Sequence, residues 1–475
     1  MNNPLMMLSL IVIIPFMGML FTLSSKESSS HFRNNCSNVT IFTLSANICI
    51  IWQLFAFLKK TRNMQLIEQF NWLKFPEINL TFAADTASLL MLLAVHIIIL
   101  GGVIFSRLEN VKTKSLMAFT LLFLSMISGL FISNDIFSFF MFFEGMLLPC
   151  LMLIGINGNF KKNISLNGFF IYNLIGCMIL LVVILWLYQY NGNMTLDQVR
   201  KITAKKQWAA FIWSAVTIAF MFRIPIWPFH YFIASINSKI HNSLVFIVLS
   251  LLPLSGLYGL YRFWPNYISL EISQYFIWIN VIGALTMLFI SLIGFSNPDS
   301  QYRIFAFITI YYIMYLLGIF SQDKEIFANL GYAIFGFLLI IGSLSVLTAY
   351  IYEQGRLNSS ISQGFLCRAK RLSLVYSFLI FAAIGFPITA VFTNNFLILS
   401  HLMSANIHMG AVMGLALLIS ALTLISELLK LKTENKECTI GKAEDLPIGQ
   451  FIFMLVIIFM LLMSFIQPLW FVINS

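Results

Sequence analysis

The sequence predicts an all-α, polytopic membrane protein that crosses the bilayer about fourteen times. Its residues are 60% hydrophobic and only 10% charged, whereas a soluble domain carries about 25% charged residues. The mean hydropathy is +0.90. Apolar runs of about twenty residues recur along the whole chain, and each is long enough to cross about 30 Å of hydrocarbon as a helix. These three observations exclude a soluble globular protein.

The first apolar run extends from Leu5 to Phe21. It has no basic segment before it and no small-residue cleavage site after it, so we expect a retained span and not a signal peptide. Because the linkers are short, a single transmembrane domain, residues 1–475, is expected. The predicted spans are 4–23, 40–58, 84–106, 115–133, 136–156, 168–189, 208–222 with a continuation past a break to 236, 241–263, 274–295, 303–320, 327–352, 373–401, 408–429 and 449–472.

The net charge of +10 does not indicate a nucleic-acid partner, because the basic residues occupy short loops between spans. Of the 28 Lys and Arg residues, 17 lie in loops after odd-numbered spans and 10 after even-numbered ones, and Arg223 lies within a span. Basic loops stay on the cytoplasmic or matrix side. We therefore predict that the odd loops face that side and that both termini face the other.

Two predicted spans are interrupted by proline. The seventh contains Arg223, Pro225 and Pro228, and the twelfth contains Gly385 and Pro387. Proline lacks the backbone N–H and breaks the helical hydrogen-bond ladder. Within a membrane such a break is tolerated where protein or a water-filled cavity satisfies the freed carbonyls. Either break alone is equally consistent with a simple kink.

The two breaks together indicate an internal repeat. They lie five spans apart, which predicts a five-helix unit over residues 115–263 and a second unit over 274–429. Because the number of helices in the unit is odd, the second copy is inverted in the membrane. Broken helices at matching places in inverted repeats are typical of an ion pathway through a transporter.

Ionisable side chains at membrane depth cost about 2.5–3.5 kcal/mol on insertion scales, so each requires a reason. Glu144 lies in the middle of the fifth span, and Arg223 at the seventh-span break is the expected cationic partner. Arginine holds a neighbouring carboxylate as an anion but hardly ever releases its own proton. The alternative for Arg223 is a side chain that reaches the interface. His230 follows the break, and a proton relay and a hydrogen-bonded structural residue are equally good interpretations.

Other polar residues of the spans have structural interpretations. Asp85 and Asp135 begin their spans, and we expect N-terminal caps near the surface, with proton relays as the alternative. His96 is isolated in an apolar run, and we expect a packing role. We expect Glu427 to pair at the interface with the two lysines that follow it.

No cofactor site is expected in this chain. The six cysteines show no paired spacing, and we interpret them as small buried apolar residues. The sequence contains no glycine-rich nucleotide loop, no zinc or iron–sulfur ligand set, and no nucleophile with an adjacent base. We therefore predict no catalytic, cofactor-binding or metal-binding residue.

The motifs in order along the chain resemble a known family. Residues 133–156 contain SNDIFSFF, then FEGMLLP and LIGI; residues 224–230 contain IPIWPFH, and residues 258–263 contain YGLYRF. A later GFP motif at 385–387 precedes FLIL at 396–399. Together they are similar to NADH–ubiquinone oxidoreductase chain 4, an antiporter-like proton-pumping subunit of the membrane arm of respiratory complex I. The LP after the glutamate favours chain 4 over the related chains 2 and 5.

The resemblance implies a proton path of ionisable residues through mid-membrane. Glu144 matches the family's fifth-helix glutamate, Arg223 replaces the lysine at the seventh-helix break, and His230 follows that break as in the family. The family's eighth-helix lysine, its tenth- and eleventh-helix histidines and its twelfth-helix glutamate fall on residues that do not carry protons readily. These degenerate positions are Leu254, Tyr312, Phe337 and Asn395. The resemblance therefore implies a weakened or absent proton path.

The resemblance also implies an assembly and a place. The expected function is that of a complex I membrane-arm subunit that couples electron transfer to proton translocation. The expected partners are chain 5-like and chain 2-like subunits and membrane lipids including cardiolipin, with NADH, FMN, iron–sulfur clusters and ubiquinone bound by other subunits. The phenylalanine-rich composition favours the mitochondrial inner membrane, with a bacterial inner membrane as the alternative. A non-pumping structural subunit and a freestanding cation/proton antiporter are the competing functions.

Overall fold

The structure is a computed structural model, and it describes residues 6–25, 32–58, 64–74, 77–106, 113–156, 163–191, 209–230, 242–263, 270–321, 323–357, 365–387, 389–433 and 445–473. The helices within this part of the chain are α1 (Met7–Ser24), α2 (Phe32–Phe57), α3 (Thr86–Ser106), α4 (Thr113–Ile132), α5 (Ile136–Gly145), α6 (Leu147–Ile156), α7 (Asn163–Asn191), α8 (Ala209–Met221), α9 (Ser243–Phe263), α10 (Leu270–Ser296), α11 (Ser300–Phe320), α12 (Lys324–Leu357), α13 (Phe365–Arg368), α14 (Lys370–Ile384), α15 (Ala390–Ala405), α16 (Ile407–Lys432) and α17 (Ile448–Ile473).

The predicted fold class is confirmed. Within the described residues, 12 helical segments are long and apolar enough to cross a membrane, and one of them combines α5 and α6. The two remaining predicted spans coincide with the proline breaks: the seventh with α8 and the residues after it, and the twelfth with α14 and α15. Residues 231–236, the predicted continuation of the seventh span, lie outside the described part. The total of fourteen crossings and the two inverted repeats stay predictions.

A β-hairpin between the second and third spans departs from the all-α prediction. Its strands β1 (Gln65–Lys74) and β2 (Glu77–Ala84) pair antiparallel. The carboxylate of Glu68, in β1, accepts hydrogen bonds from the backbone N–H groups of Leu8 and Ser9, at 2.8 and 3.0 Å. These donors belong to the first turn of α1, where the helix itself offers no acceptor. The hairpin therefore caps α1.

The chain divides into two compact units. Unit 1 comprises Met1–Ile97, Val111–Ser235 and Leu251–Trp278, and unit 2 comprises Ile98–Asn110, Ile236–Ser250 and Ile279–Ser475. In unit 1 an aromatic cluster of Phe139, Phe143, Phe220 and Phe263 fills the core. In unit 2 the spans of α11 and α12 are 94% buried. Helices that are apolar all round are expected in such positions.

Candidate functional site: the two broken helices

The break of the seventh span begins where α8 ends, at Met221. Pro225 has no N–H to donate to the carbonyl of Met221, four residues earlier. The chain compensates with a tighter turn: the N–H of Ile224 donates to the Met221 carbonyl at 3.1 Å, and that of Arg223 to the Phe220 carbonyl at 3.0 Å. The prolines therefore produce the predicted helix break, and they place Arg223 in the turn.

Helix α9 approaches this turn closely because it presents glycine there. A Cβ atom on Gly256 would lie 2.6 Å from the Phe220 carbonyl oxygen and 2.9 Å from the Cβ of Arg223. A Cβ atom on Gly259 would lie 2.5 Å from the Phe220 ring. Real Cβ atoms do not tolerate such distances, so the contact between α9 and the break requires both glycines.

Arg223 is buried, with 2% of its surface exposed. Its Nη2 donates to the carbonyl oxygen of Phe143 at 2.8 Å, and its Nη1 to the hydroxyl of Ser255 at 3.4 Å. The thiol of Cys177 lies 3.8 Å from Nη2, and the guanidinium carbon lies 4.1 Å from the Phe143 ring centroid. The cation is thus held by a carbonyl dipole and an aromatic face, which is an accepted environment for arginine.

Glu144 is half-buried in the last turn of α5, beside the kink that separates α5 from α6. Pro149 explains the kink, because it cannot donate to the carbonyl of Gly145. Within the described residues the predicted ion pair between Glu144 and Arg223 is not formed, since the guanidinium binds the carbonyl of the preceding residue. The two residues still lie in one neighbourhood, because Arg223 binds the carbonyl of Phe143, which directly precedes Glu144.

The other predicted positions of unit 1 flank this turn. Leu254 of α9 is fully buried and contributes only aliphatic surface. Pro228 is exposed and His230 is half-buried, at the end of the described part of the break. The hydroxyl of Tyr172 donates to the carbonyl of Phe229 at 2.7 Å and thereby ties α7 to the residues after Pro228.

The break of the twelfth span is built differently. Helix α14 ends at Gly385, whose φ of 107° is a left-handed conformation that favours glycine. Pro387 leaves the carbonyl of Ala383 without its helical donor. The hydroxyl of Tyr311, from α11, donates to that carbonyl at 2.7 Å. Tyr311 was not among the predicted site residues, although a carbonyl freed by Pro387 requires a donor and α11 carries several tyrosines.

The predicted positions Tyr312 and Phe337 come together in unit 2. The Phe337 ring lies 5.4, 5.3 and 5.3 Å from the ring centroids of Tyr311, Tyr312 and Tyr315. The hydroxyl of Tyr312 donates to the carbonyl of Ser250 at 2.8 Å. The two positions therefore form part of a packed aromatic cluster, in which the hydroxyls of Tyr311 and Tyr312 donate to backbone carbonyls.

Asn395 lies on α15, just after the break, and its buried amide oxygen has no hydrogen-bond partner among the described residues. Its neighbour Asn394 is fully buried, and neither polar atom of that amide has a hydrogen-bond partner among the described residues. Buried amide groups of this kind are usually paired. The second broken helix thus carries neutral polar groups and no carboxylate.

The two aspartates are caps, as predicted, but both are buried rather than at the surface. Asp135 accepts from the N–H of Ser138 at 2.6 Å and from the N–H of Thr81 at 2.8 Å. Asp85 accepts from the N–H of Ser88 at 2.8 Å. Asp85 also forms a two-pronged ion pair with Arg262, with nitrogen–oxygen distances of 2.8 and 2.5 Å. The sequence analysis did not predict this pair.

Two further predictions were tested by the contacts. Glu427 forms an ion pair, but its partner is Arg303 at 3.0 Å and not the lysines that follow it, and it is fully buried rather than at the interface. The amine of Lys430 instead donates to a backbone carbonyl. His96 has the expected packing role: one ring nitrogen bonds the carbonyl of Leu92 and the other the amide of Asn47, at 2.8 and 3.1 Å.

Comparison with known proteins assigns the family. The sequence matches the NADH:quinone oxidoreductase/Mrp antiporter transmembrane family over residues 133–423. The chain belongs to this family. The matched region contains Glu144, Arg223, both proline breaks and the Tyr311 cluster, so the described sites lie within the family's shared part.

Individual relatives agree with this assignment. The chain is 25% identical to NADH-quinone oxidoreductase subunit M of Rickettsia felis, covering 90% of this chain and 89% of the relative. It is 23% identical to NADH-ubiquinone oxidoreductase chain 4 of Marchantia polymorpha, covering 87% and 84%. A chain of respiratory complex I from Thermus thermophilus superimposes with a TM-score of 0.85 at 20% identity, covering 97% of this chain and 96% of that one.

Proposed function

We propose that this chain is an antiporter-like membrane-arm subunit of an NADH:quinone oxidoreductase, in which Glu144 takes part in proton translocation. Electron transfer would occur on other subunits, as the resemblance to chain 4 implies. The family membership and the full-length likeness to subunit M and chain 4 support the assembly.

The observation that carries the proposal is that a carboxylate and a buried cation lie at two neighbouring helix interruptions of unit 1. Glu144 lies beside the α5–α6 kink, and Arg223 lies in the α8 break and binds the backbone next to it. A charged side chain at membrane depth is expensive and usually serves a function. Because arginine keeps its charge, Arg223 supplies a fixed positive charge next to the helix interruption that carries Glu144.

A weakened path is supported by the residues beyond Arg223. Leu254 has no ionisable group, and the hydroxyls of Tyr311 and Tyr312 are engaged with backbone carbonyls. The neutral amide of Asn395 does not titrate. These positions favour a subunit whose own proton transfer is slower than in a chain that carries lysine and histidine there. The purely structural subunit is the second candidate, and the same observations support it.

The test is the number of protons moved per NADH oxidised by the assembled enzyme in sealed vesicles. Changing Glu144 to Gln keeps the shape of the side chain and removes its charge, so we expect the ratio to fall while the assembly is retained. Asp299→Asn is the control, because Asp299 caps α11 and asparagine caps equally well. An unchanged ratio in Glu144→Gln, with normal assembly, would favour the structural candidate.

The proposal also covers the partners of the chain and the membrane in which it is located. The partners are the neighbouring antiporter-like subunits, like chains 5 and 2, and the lipids around them, including cardiolipin. The membrane is a mitochondrial inner membrane or, as the Rickettsia relatives suggest, a bacterial inner membrane. A freestanding antiporter is disfavoured by Leu254, because an independent transporter needs an ionisable carrier at that step. If the purified chain alone exchanged cations for protons in vesicles, the freestanding antiporter would be favoured instead.

A further inference from the structure

One end of unit 2 collects basic side chains that the proton path does not use. Helix α13 ends at Arg368, helix α14 begins at Lys370, and helix α16 ends at Lys432. The thiol of Cys367 donates to the carbonyl of Lys432 at 2.6 Å, so these three helix ends are in contact. Three residues of chain span at most about 10 Å, so Lys370 also lies near Lys432.

Two of the basic groups here are already engaged. A guanidinium nitrogen of Arg371 donates to the carbonyl of Leu446 at 3.1 Å, and the amine of Lys430 donates to the carbonyl of Pro298 at 3.1 Å. The carboxylate of Asp445 accepts from two backbone N–H groups at the start of α14 and forms no ion pair with a lysine in the described part of the chain.

The amines of Lys370 and Lys432, unlike the basic groups of Arg371 and Lys430, are not engaged with a carbonyl of the described residues. Both side chains are exposed, and neither has a hydrogen-bond or ion-pair partner among the residues that the structure describes. The described residues of this end carry more basic than acidic side chains: Arg303, Arg368, Lys370, Arg371, Lys430 and Lys432 against Asp299, Glu427 and Asp445. Residues 434–444, outside the described part, add two lysines and three glutamates. The region keeps a positive charge.

Each of these lysines stands at the end of an exposed apolar stripe. On α14, Leu374 follows Lys370 by one turn and is 57% exposed, and Phe381 continues the stripe two turns later. On α16, Leu429 precedes Lys432 by one turn and is 55% exposed, and Leu422 continues it. Helices α14 and α16 are neighbours in unit 2. On each of two neighbouring helices, an exposed apolar stripe therefore begins one turn from an amine that has no partner among the described residues.

We propose that Lys370 and Lys432 bind the phosphate headgroup of an anionic phospholipid, whose acyl chains lie along the stripes that begin at Leu374 and Leu429. The occupant is argued from charge complementarity: the two amines attract an anion at the membrane surface, and the exposed apolar residues pack against hydrocarbon below it. Eight of the 17 basic residues of the odd loops lie in the two loops concerned. Basic clusters on the cytoplasmic or matrix side bind anionic headgroups in this way.

The test measures bound lipid rather than proton movement. The full chain, purified with the subunits that accompany it, is equilibrated with vesicles of phosphatidylcholine containing a minor fraction of phosphatidylglycerol, and retained phosphatidylglycerol is counted by native mass spectrometry. One lysine near the surface contributes about fivefold to binding of an anionic lipid, so the double variant K370Q/K432Q is expected to lose about 25-fold. The double arginine variant K370R/K432R keeps both charges and is expected to keep the lipid.

The control is Lys324→Gln, which removes an exposed lysine of unit 2 from the loop predicted to lie on the opposite membrane side. We expect no loss of lipid from it. Retention of the lipid by K370Q/K432Q, or an equal loss in Lys324→Gln, overturns the proposal. So does cross-linking that places an acidic segment of another subunit against Lys370 in the wild type. Because lipid occupancy is measured independently of protons moved per NADH, failure here is distinguishable from failure of the proposed function.

Discussion

The ion pair between Asp85 and Arg262 offers the sharpest test of the packing in unit 1. Asp85 does two things: it caps α3 through the N–H of Ser88, and it binds the guanidinium of Arg262 through both carboxylate oxygens. Only 9% of the Asp85 side chain and 7% of the Arg262 side chain are exposed. The Nε of Arg262 also donates to the hydroxyl of Tyr258 at 2.6 Å. Removal of one charge would leave the other buried.

Asparagine in place of Asp85 separates these two roles. Asparagine caps a helix as well as aspartate does, so the loss isolates the ion pair. Breaking a buried pair from one side costs about 3–5 kcal/mol. We expect Asp85→Asn to lower the free energy of unfolding by that amount. We expect the double variant D85N/R262M to lose clearly less than the sum of the two single variants, because it leaves no unpaired charge.

The assay is unfolding of the purified chain in mixed micelles titrated with sodium dodecyl sulfate. Asp299→Asn serves as the control, because Asp299 caps α11 and forms no ion pair among the described residues, so its loss is expected to stay within about 0.5 kcal/mol. Equal losses in Asp85→Asn and Asp299→Asn would refute the reasoning. Simple additivity in D85N/R262M would refute it as well, since contacting charges must show coupling.

Three further predictions concern single contacts. Gly256→Ala should lower the free energy of unfolding by about 1–3 kcal/mol, because the new methyl group would lie 2.6 Å from the carbonyl oxygen of Phe220. Gly414→Ala is the control, because a methyl group there would meet open space and should not destabilise the protein. An equal loss in both variants would contradict the close approach of α9 to the turn. Tyr311→Phe should cost about 1–3 kcal/mol, because it leaves a buried carbonyl unpaired. Tyr315→Phe should be neutral or stabilising, because the buried Tyr315 hydroxyl has no partner among the described residues. A larger loss of stability in Tyr315→Phe than in Tyr311→Phe would contradict this interpretation. Burial raises the pKa of Asp445, but hydrogen bonds from three backbone N–H groups outweigh burial and lower it below 3.8. Its stabilising contribution is therefore complete above the unfolded pKa of about 3.9 and disappears as the pH falls through the lower folded value. The stability difference between wild type and Asp445→Asn should be constant from pH 8 to about pH 5 and shrink below about pH 4; a difference that shrinks near neutral pH would contradict the shift.

Much of the candidate site could be predicted from the sequence, because its features are local. Proline at 225 and 387 breaks a helix whatever surrounds it, and Glu144 within an apolar run requires a reason wherever it packs. Asp85 and Asp135 cap helices through groups three residues away, which a local pattern reveals. The hairpin was not predicted from the sequence, because its residues lie between two strong apolar runs that dominate the hydropathy pattern.

Partners over long sequence distances could not be predicted. Arg262 and Asp85 are 177 residues apart in the sequence, and Arg303 and Glu427 are 124 residues apart. The hydroxyl of Tyr311 donates to a carbonyl that lies 72 residues later. Helices such as α11 and α12 are apolar on every side, so hydropathy does not indicate which face meets which neighbour. The partner of Arg223 was predicted as the Glu144 carboxylate, but the packing of α5 against the break presents a carbonyl oxygen and an aromatic ring instead.

The sequence by itself therefore determined three things: that this protein spans the bilayer, at which residues its helices break, and which family it resembles. Each of these follows from hydrocarbon thickness, from the missing proline N–H, or from a contiguous motif. The tertiary structure decided which group satisfies each buried charge and each freed carbonyl. That choice depends on the register in which apolar helices pack, and a difference of one helical turn between two helices is enough to change every partner along their contact.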